Sequence, residues 1–294
     1  MVTTAERRAE FATRMRRREF TLAPGIFDFI SLRVAERAGF DALYLSGYAS
    51  IASNLGLPDA GLASYTEMVG IASKLAQGTE LPVIADADTG FGGRLNIHHT
   101  ILGYERAGVC AIQLEDQEFP KKCGHTTGRR VIETAEMVSR IKIAIDARHD
   151  SNLLIVARTD ARTSLGLAAA VARAQAYRAA GADMIFVESP ETVEEFGCIG
   201  ASIDAPLIAN MVESGRSPIL SAARLRELGF TLAIYPATAM LAMAAALEAA
   251  FDQLKVRGQS NSGPGLVTLQ AMHNLTGFPT VWALEEKWTQ EFDE

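Results

Sequence analysis

Continuous apolar runs recur along the chain, each preceded by a helical pattern and a glycine. The segments RAGFDALYLS, RAGVCAIQLE, AAGADMIFVE and ELGFTLAIYP end at Ser46, Glu115, Glu188 and Pro236. A glycine just after a helix readily adopts the left-handed conformation that other residues resist. Because the apolar runs are continuous and do not alternate with polar residues, they indicate strands that are covered on both faces, as in a parallel sheet.

Further runs bring the number of predicted strands to eight, and amphipathic helical patterns such as residues 135–148 and 165–180 separate them. The predicted strands are Phe20–Ala23, Ala42–Leu45, Pro82–Ala85, Ala111–Leu114, Leu153–Ala157, Met184–Val187, Pro206–Ala209 and Thr231–Ile234. Alternating strand and helix units in this number predict an α/β fold, a closed (β/α)8 TIM barrel. The alternative is an open doubly wound sheet, but no phosphate-binding G-x-G-x-x-G pattern follows the first strand.

The C-terminal part of the chain exceeds what a barrel requires. The Ala- and Leu-rich pattern over Thr238–Arg257 supplies the helix after the eighth strand, so we assign residues 1–257, with an N-terminal helix, to the barrel. A Gly- and Ser-rich linker, Gly258–Gly265, and two helical patterns make residues 258–294 a C-terminal helical extension. Its large apolar side chains are Phe278, Val281, Trp282, Leu284 and Trp288. We expect this extension to pack on a partner subunit, with folding back onto its own barrel as the alternative.

Composition excludes several classes of protein. A formal net charge of −7 without a basic stripe argues against nucleic acid as a partner. No apolar run approaches the ~20 residues that span a bilayer, so we expect no membrane partner. The N-terminal MVTTAERRAEFATRMRRREF lacks the apolar core of a secretory signal and is interpreted as an exposed first helix. The cysteines at 110, 123 and 198 give neither a disulfide framework nor a zinc pattern, which favours the cytoplasm.

Carboxylates cluster where predicted strands end, which is where barrel enzymes place their active sites. Asp86 and Asp88 follow the third strand, Glu115 the fourth, and Asp59 lies on the loop LGLPDAG. Residues two apart on a strand point to the same side, so Asp86 and Asp88 would repel each other unless a cation lies between them or one carboxylate is protonated. Oxygen-only ligation suits hard ions, and we predict a site for Mg²⁺, with Mn²⁺ possible. The alternative is that these acids pair with Arg158 and with lysines.

The polar segment Gln117–Arg130 has the features of a mobile lid and contains the sequence KKCGH. A thiol beside lysine and histidine can have its pKa lowered towards neutrality, so Cys123 is predicted to be reactive. Arg158 ends the fifth predicted strand among acids, where a guanidinium can bind a substrate carboxylate with two hydrogen bonds.

Several motifs occur in a characteristic order, namely YLSGY, LGLPD, DADTGFGG, EDQ-x3-KKCGH-x2-G, ARTDAR and NMVESGRSP. Together they resemble the isocitrate lyase/phosphoenolpyruvate mutase superfamily from Phe20 to Leu254. The resemblance implies a (β/α)8 barrel, an eighth helix exchanged between subunits, a homotetramer and Mg²⁺.

Site residues follow from the same resemblance, position by position. Asp86, Asp88 and Glu115 match the metal-site acids, with Asp59 close to them. Tyr44 and Cys123 match the pair that transfers protons. The implied substrate contacts are Ser46, Gly47, Tyr48, Gly124, His125, Arg158, Glu188 and Asn210.

The implied reaction is cleavage of the C2–C3 bond of a 2-hydroxy di- or tricarboxylate to a 2-keto acid and a carboxylate. Cys123 would protonate the carbanion that this cleavage leaves. Tyr48 is bulky enough to fill the space that a larger substrate needs, so a substrate like 2,3-dimethylmalate is favoured and 2-methylisocitrate is second. The alternatives are a phosphonomutase, against which Cys123 argues, an oxaloacetate hydrolase or decarboxylase of the same superfamily, and a catalytically silent binding protein.

Overall fold

Eight parallel strands close into a barrel in chain order, with the last strand paired to the first. The computed structural model describes residues 2–126, 128–260 and 265–292. The strands are β1 Thr21–Ile26, β2 Leu43–Leu45, β3 Val83–Asp86, β4 Ala111–Glu115, β5 Leu154–Thr159, β6 Met184–Val187, β7 Leu207–Asn210 and β8 Leu232–Tyr235. Each predicted strand is present, so the predicted TIM barrel is confirmed.

Helices alternate with these strands and continue after the last one. They are α1 Thr4–Arg16, α2 Phe29–Arg37, α3 Gly47–Leu55, α4 Tyr65–Gln77, α5 Arg94–Ala107, α6 Thr134–Ala147, α7 Ala161–Leu165, α8 Leu167–Ala179, α9 Val193–Ser202, α10 Ala222–Glu227, α11 Thr238–Arg257, α12 Leu269–Thr276 and α13 Phe278–Phe292. The helix predicted over residues 165–180 is interrupted at Gly166, whose φ of 86° ends α7 and begins α8. None of the described helices combines the length and the apolar content that a bilayer crossing requires.

The barrel strands contribute to two apolar layers. Alternate strand residues such as Ile84, Val156 and Phe186 pack with one another in one cluster. Their neighbours in sequence, such as Val83 and Ile155, pack with the surrounding helices in a larger cluster. The same alternation continues to the ends of the strands, so the residues in step with Ile84 and Val156 point into the barrel.

The first helix is buried on one face, and its interpretation as an exposed helix was wrong. Phe11 and Met15, one turn apart on α1, belong to the cluster inside the barrel and are at most 1% exposed. The Nε of Arg8 donates to the carbonyl of Val109 at 2.8 Å, and Arg7 donates to Gly108 at 3.0 Å. These arginines therefore satisfy backbone carbonyls of the barrel, and α1 closes its N-terminal end.

The glycines that follow the helices adopt the backbone conformation that the sequence predicts. Gly39, Gly108, Gly181 and Gly229 all have positive φ, between 80° and 108°. Each lies between a helix and the next strand, where a left-handed residue reverses the chain towards the barrel.

Two compact units make up the chain, Met1–Ala239 and Met240–Glu294. This division falls within α11, whereas the sequence places the boundary after residue 257. Residues 261–264 of the predicted linker and residues 293 and 294 of the predicted extension lie outside the described residues. In the second unit, Phe278 packs on Trp282 with ring centroids 5.7 Å apart, yet both side chains remain more than 40% exposed. Packing of this unit on a partner subunit stays a prediction.

Two glycines of α9 offer a matched test of how tightly this helix packs. A Cβ at Gly200 would lie 1.8 Å from the carbonyl oxygen of Leu228, a backbone atom that cannot move aside, whereas a Cβ at Gly197 meets only a methyl group at 3.6 Å. We expect Gly200→Ala to lower the free energy of unfolding by about 1–3 kcal/mol. Gly197→Ala should preserve or raise it, because alanine is favoured over glycine in helices by about 1 kcal/mol. Denaturant titration of both variants measures the difference, and equal stabilities would contradict this packing.

Candidate active site

Polar side chains converge at the C-terminal ends of the barrel strands. Asp86 ends β3, Glu115 ends β4, and Asn210 ends β7, while Glu188 directly follows β6. Glu115 pairs in register with Arg158 on β5. All of these side chains are at least nine-tenths buried, so the structure brings the predicted rim residues together in one place away from bulk water.

Arg158 lies at the centre of this rim and contacts three carboxylates. Its Nε and Nη2 donate to the two oxygens of Asp160, each at 2.9 Å. Glu115 and Glu188 approach the same guanidinium at 3.5 and 3.4 Å. The face of Phe186 lies below it, 5.1 Å from the guanidinium carbon to the ring centroid. These contacts fix the orientation of the Arg158 guanidinium and place its positive charge among the carboxylates of the rim.

Lys121 is a second buried cation, which the predicted site did not include. Its Nζ lies 2.5 Å from Asp88 and also contacts Asp59, and its side chain is 3% exposed. Lys121 belongs to the KKCGH motif, so the sequence already contained this lysine as a possible partner for the acids. Its contacts match the alternative in which the acids pair with Arg158 and lysines, and Lys121 occupies the space between two of the predicted metal ligands.

Asp86 and Asp88 are not alternate residues of one strand, so the prediction that both point to the same side of the third strand was wrong. Strand β3 ends at Asp86, and Asp88 lies in the left-handed region with φ of 50°. The N–H of Asp88 donates to Asp86 Oδ1 at 3.0 Å. The chain therefore turns sharply between them, and Asp88 reaches towards Lys121.

A buried hydrogen-bonded chain links Tyr44 to Asp86 through Gln113, another residue that sequence reasoning missed. The Tyr44 hydroxyl donates to Gln113 Oε1 at 3.0 Å, and Gln113 Nε2 donates to Asp86 Oδ1 at 3.2 Å. Gln113 is in step with Glu115 on β4, and this alternation was its only sequence signal. Burial and the carboxylate of Asp86 raise the pKa of Tyr44 well above its usual value, so the phenol is protonated.

Burial makes the rim carboxylates harder to ionise. It raises the pKa of Asp86, that of Glu115 and, to about 6, that of Asp88, although Lys121 and Arg158 oppose the increase. Glu115 Oε1 is buried without a hydrogen-bond partner among the described residues. Asp86 forms no ion pair in the described part of the chain, and a Cβ at Gly47 would lie 2.6 Å from its Oδ2. A cation near Asp86 would therefore offset a real electrostatic cost.

The residues that the structure describes contain no group of three or more His, Cys, Asp or Glu side chains arranged to hold a metal ion. Mg²⁺ does not require such a group, because it commonly binds one or two protein carboxylates and completes its shell with water and substrate oxygens. The buried oxygens of Asp86 and Glu115 have the chemistry of such a site.

The lid lies against the rim through contacts on both sides of Cys123. The N–H of Cys123 donates to the carbonyl of Asp59 at 3.1 Å, and Ser189 Oγ donates to the carbonyl of Gly124 at 3.2 Å. His125 Nε2 lies 3.4 Å from Asn210 Nδ2, and its Nδ1 accepts from the N–H of Arg216 at 3.4 Å. Residue 127 lies outside the described part of this lid.

Cys123 does not have the lowered pKa that its neighbours in sequence suggest. Burial raises the pKa of its thiol, which outweighs the opposing effects of the His125 backbone and of Arg158. Lys121 points to Asp59 and Asp88, so its charge does not activate the thiol. A thiol in these surroundings keeps its proton at neutral pH.

Ser46, Gly47 and Tyr48 begin helix α3 beside Asp86. Ser46 is the N-cap, with its Oγ accepting from the N–H of Ala49 at 3.3 Å, and it is buried. Because Gly47 has no side chain, the carboxylate of Asp86 can lie close to its backbone. Tyr48 is 44% exposed, and this exposure does not support the idea that its ring fills substrate space. Its predicted role stays a prediction.

A closed barrel whose rim holds carboxylates, a fixed guanidinium and a thiol-bearing lid is the framework of a TIM-barrel enzyme for small anionic molecules. Residues 11–255 match the family model for phosphoenolpyruvate phosphomutase. The chain belongs to this family, within the isocitrate lyase/phosphoenolpyruvate mutase superfamily, as the motifs predict.

The relatives narrow the class further. The 2,3-dimethylmalate lyase of Eubacterium barkeri is 42% identical over 290 residues, covering 98% of this chain and 99% of the relative. The 2-methylisocitrate lyase of Aeropyrum pernix is 42% identical over 263 residues, covering 89% and 84%. A solved structure of oxaloacetate acetylhydrolase in complex with 3,3-difluorooxalacetate superposes with a TM-score of 0.91 at 30% identity, covering 97% of both chains. The chain is accordingly an enzyme of the carbon–carbon lyase class.

The fit of the lid depends on a glycine at position 124. A Cβ there would lie 2.5 Å from Arg158 Nη2 and 3.0 Å from the carboxyl carbon of Glu188. We expect Gly124→Ala to keep the lid from seating, so that trypsin cleaves within residues 121–130 several-fold faster while the melting temperature is unchanged. Gly70→Ala on α4, where a Cβ meets nothing within 4 Å, is the control. Cleavage of Gly124→Ala at the wild-type rate would contradict this contact.

Proposed function

We propose that this protein is a Mg²⁺-dependent lyase that cleaves the C2–C3 bond of a 2-hydroxy dicarboxylate, with 2,3-dimethylmalate as the favoured substrate type and 2-methylisocitrate as the second. The products would be a 2-keto acid and a carboxylate. The observation that carries the proposal is the position of Cys123, held through backbone contacts with Asp59 and Ser189 on both sides of the thiol, beside a rim with a fixed arginine. The near full-length similarity to 2,3-dimethylmalate lyase supports the favoured substrate.

The rim offers the substrate both cationic and polar contacts. Arg158 is the cation that would bind a substrate carboxylate, and its position, fixed by three acidic neighbours, favours one orientation of the substrate. Asn210 Nδ2, which already donates to Glu188 at 3.1 Å, and His125 stand on the lid side of the rim. Burial lowers the pKa of His125, so its ring is neutral and adds no charge beside Arg158.

Asp86 and Glu115 are the residues that would hold Mg²⁺ directly, with Asp88 and Asp59 behind them on Lys121. When bound, the ion would stabilise negative charge on the keto-acid oxygens of the substrate. Lys121 has a separate effect, because it neutralises Asp59 and Asp88 from within the protein. Of the four acids, Asp86 and Glu115 then remain to attract a metal ion.

Cys123 is the proposed general acid. Cleavage leaves a carbanion delocalised into the C3 carboxylate, and a positioned protonated thiol completes the reaction by donating to that carbon. Its raised pKa suits this role, since a thiolate would have no proton to donate. The closed lid keeps water from competing for the same carbon.

Tyr44 is the proposed partner of Cys123 in proton transfer. In this structure its hydroxyl donates to Gln113, and its raised pKa keeps the phenol protonated. Its oxygen is therefore the atom that would accept a hydrogen bond from the substrate hydroxyl.

We also infer a homotetramer in the cytoplasm, in which helices of the second unit pack on a partner subunit. The exposed apolar side chains of α11 and α13 support this assembly.

Replacing the thiol separates catalysis from binding. Because a positioned general acid contributes about 10²- to 10⁴-fold, Cys123→Ser should lower kcat by that range and leave keto-acid binding intact. Coupled assay of keto-acid release measures turnover, and calorimetry measures binding. Cys198→Ser is the control, since Cys198 is exposed on α9. An unimpaired rate in Cys123→Ser would exclude the general-acid role.

A substrate panel tests the activity itself. With Mg²⁺ present, we expect kcat/KM for 2,3-dimethylmalate to exceed that for 2-methylisocitrate by about tenfold or more, a ratio within the reach of pocket contacts. Chelation with EDTA should abolish turnover, and added Mg²⁺ should restore it. Faster turnover of 2-methylisocitrate would reverse the preference. The second candidate function is hydrolysis of oxaloacetate, which the similarity to oxaloacetate acetylhydrolase suggests. Release of oxalate from oxaloacetate would favour that function over the lyase activity.

A further inference from the structure

We infer that Asp160 is a positioning residue that couples the lid to the substrate-binding arginine, and that Arg129 is the lid residue through which it acts. Neither residue is among the predicted site residues, and both side chains are almost completely buried. The inference rests on the proposed function only where catalysis is the measured quantity.

One carboxylate receives two guanidinium groups. Asp160 Oδ1 accepts from Arg158 Nη2 at 2.9 Å and from Arg129 Nη1 at 2.5 Å, and its Oδ2 accepts from Arg158 Nε at 2.9 Å. The side chains of Asp160 and Arg129 are 0% and 2% exposed. Arg129 belongs to the lid and Arg158 to the barrel, so this carboxylate joins the two parts.

Asp160 is fixed from the barrel side. Its N–H donates to Asp116 Oδ1 at 2.9 Å, and the adjacent Thr159 hydroxyl donates to Asp116 Oδ2 at 2.7 Å. Tyr177 and Arg173 also bind that carboxylate, at 2.7 and 3.2 Å. Asp160 therefore cannot follow the lid, and movement of the lid must make or break its contact with Arg129.

Among the described residues, Asp160 is the one carboxylate that pairs with Arg129. The second contact of Arg129 is a hydrogen bond of 2.8 Å to the hydroxyl of Thr163, just after β5. Opening the lid would take Arg129 away from Asp160 and leave Arg158 as the carboxylate's cation. With the lid in place, Asp160 binds both guanidinium groups at once, and Arg158 keeps two hydrogen bonds of 2.9 Å that orient it towards a substrate carboxylate.

The neighbouring residue Arg130 provides a matched control. It lies in the same lid and loses the same charge when replaced, but its side chain is 79% exposed and pairs only with Glu118 on the surface among the described residues. Exposed ion pairs contribute little, so Arg130→Gln should leave the lid unchanged.

The first measurement is hydrogen exchange of the lid amides without substrate. We expect Arg129→Gln to increase exchange across residues 117–126 by tenfold or more, with Arg130→Gln within twofold of wild type. Arg129→Lys, which keeps the charge but not the planar fork, should lie between them. Equal exchange in Arg129→Gln and Arg130→Gln would overturn the inference, whatever the substrate proves to be.

The second measurement separates kcat from KM. Arg129→Gln should lower kcat tenfold or more with KM within threefold, while Asp160→Asn should lower kcat and raise KM, because it also releases Arg158. The double variant should match Asp160→Asn within twofold, since the pair acts as a unit. Additive losses would contradict the coupling. If the wild type turns over no substrate, the proposed lyase activity fails and the exchange measurement alone decides this inference.

A third variant guards against a folding defect in Asp160→Asn. Thr163→Val removes only the second hydrogen bond of Arg129, so it should raise lid exchange in the same direction by a smaller factor, with an unchanged melting temperature. Thr163→Val and Arg129→Gln both exchanging as wild type would overturn the inference.

Discussion

The rim of this barrel depends on a balance of buried charges. Asp59, Asp86, Asp88 and Glu115 lie with two cations, Arg158 and Lys121, in surroundings that exclude most water. A buried charge is costly unless it is paired, and removing one partner leaves the other uncompensated. The acids of this cluster lie at one end of the barrel, where the strands deliver their last inward-facing residues. The remaining strand residues that face the interior are almost entirely apolar.

The lid is part of the same balance, since it supplies Lys121 and Arg129 as well as Cys123. Seating the lid therefore does more than exclude water. The same segment that holds the thiol at the rim also places positive charge beside Asp88 and Asp160. The position of the lid and the electrostatics of the rim are consequently not independent. Both act on Arg158, which contacts three acids of the rim.

Sequence reasoning predicted the barrel because its signal is local and repeated. Continuous apolar runs, four of them after glycines, located every strand, and the ends of the third, fourth and fifth strands placed Asp86, Glu115 and Arg158 at one rim. The errors came from effects that only tertiary structure creates. The turn that gives Asp88 a positive φ is not visible in the spacing of two aspartates. The charge of Lys121 looked available to Cys123, but in the fold it is committed to two carboxylates.

The first helix gives the barrel a closed floor. Phe11 and Met15 fill its lower end, so the barrel interior is packed with side chains on that side and only the rim end is left for entry. Substrate, water and both products must then enter and leave through the rim end of the barrel, which the lid covers. Departure of the second product has to await the same opening that admits the next molecule, which makes the order of entry and release a property of the architecture as well as of affinity.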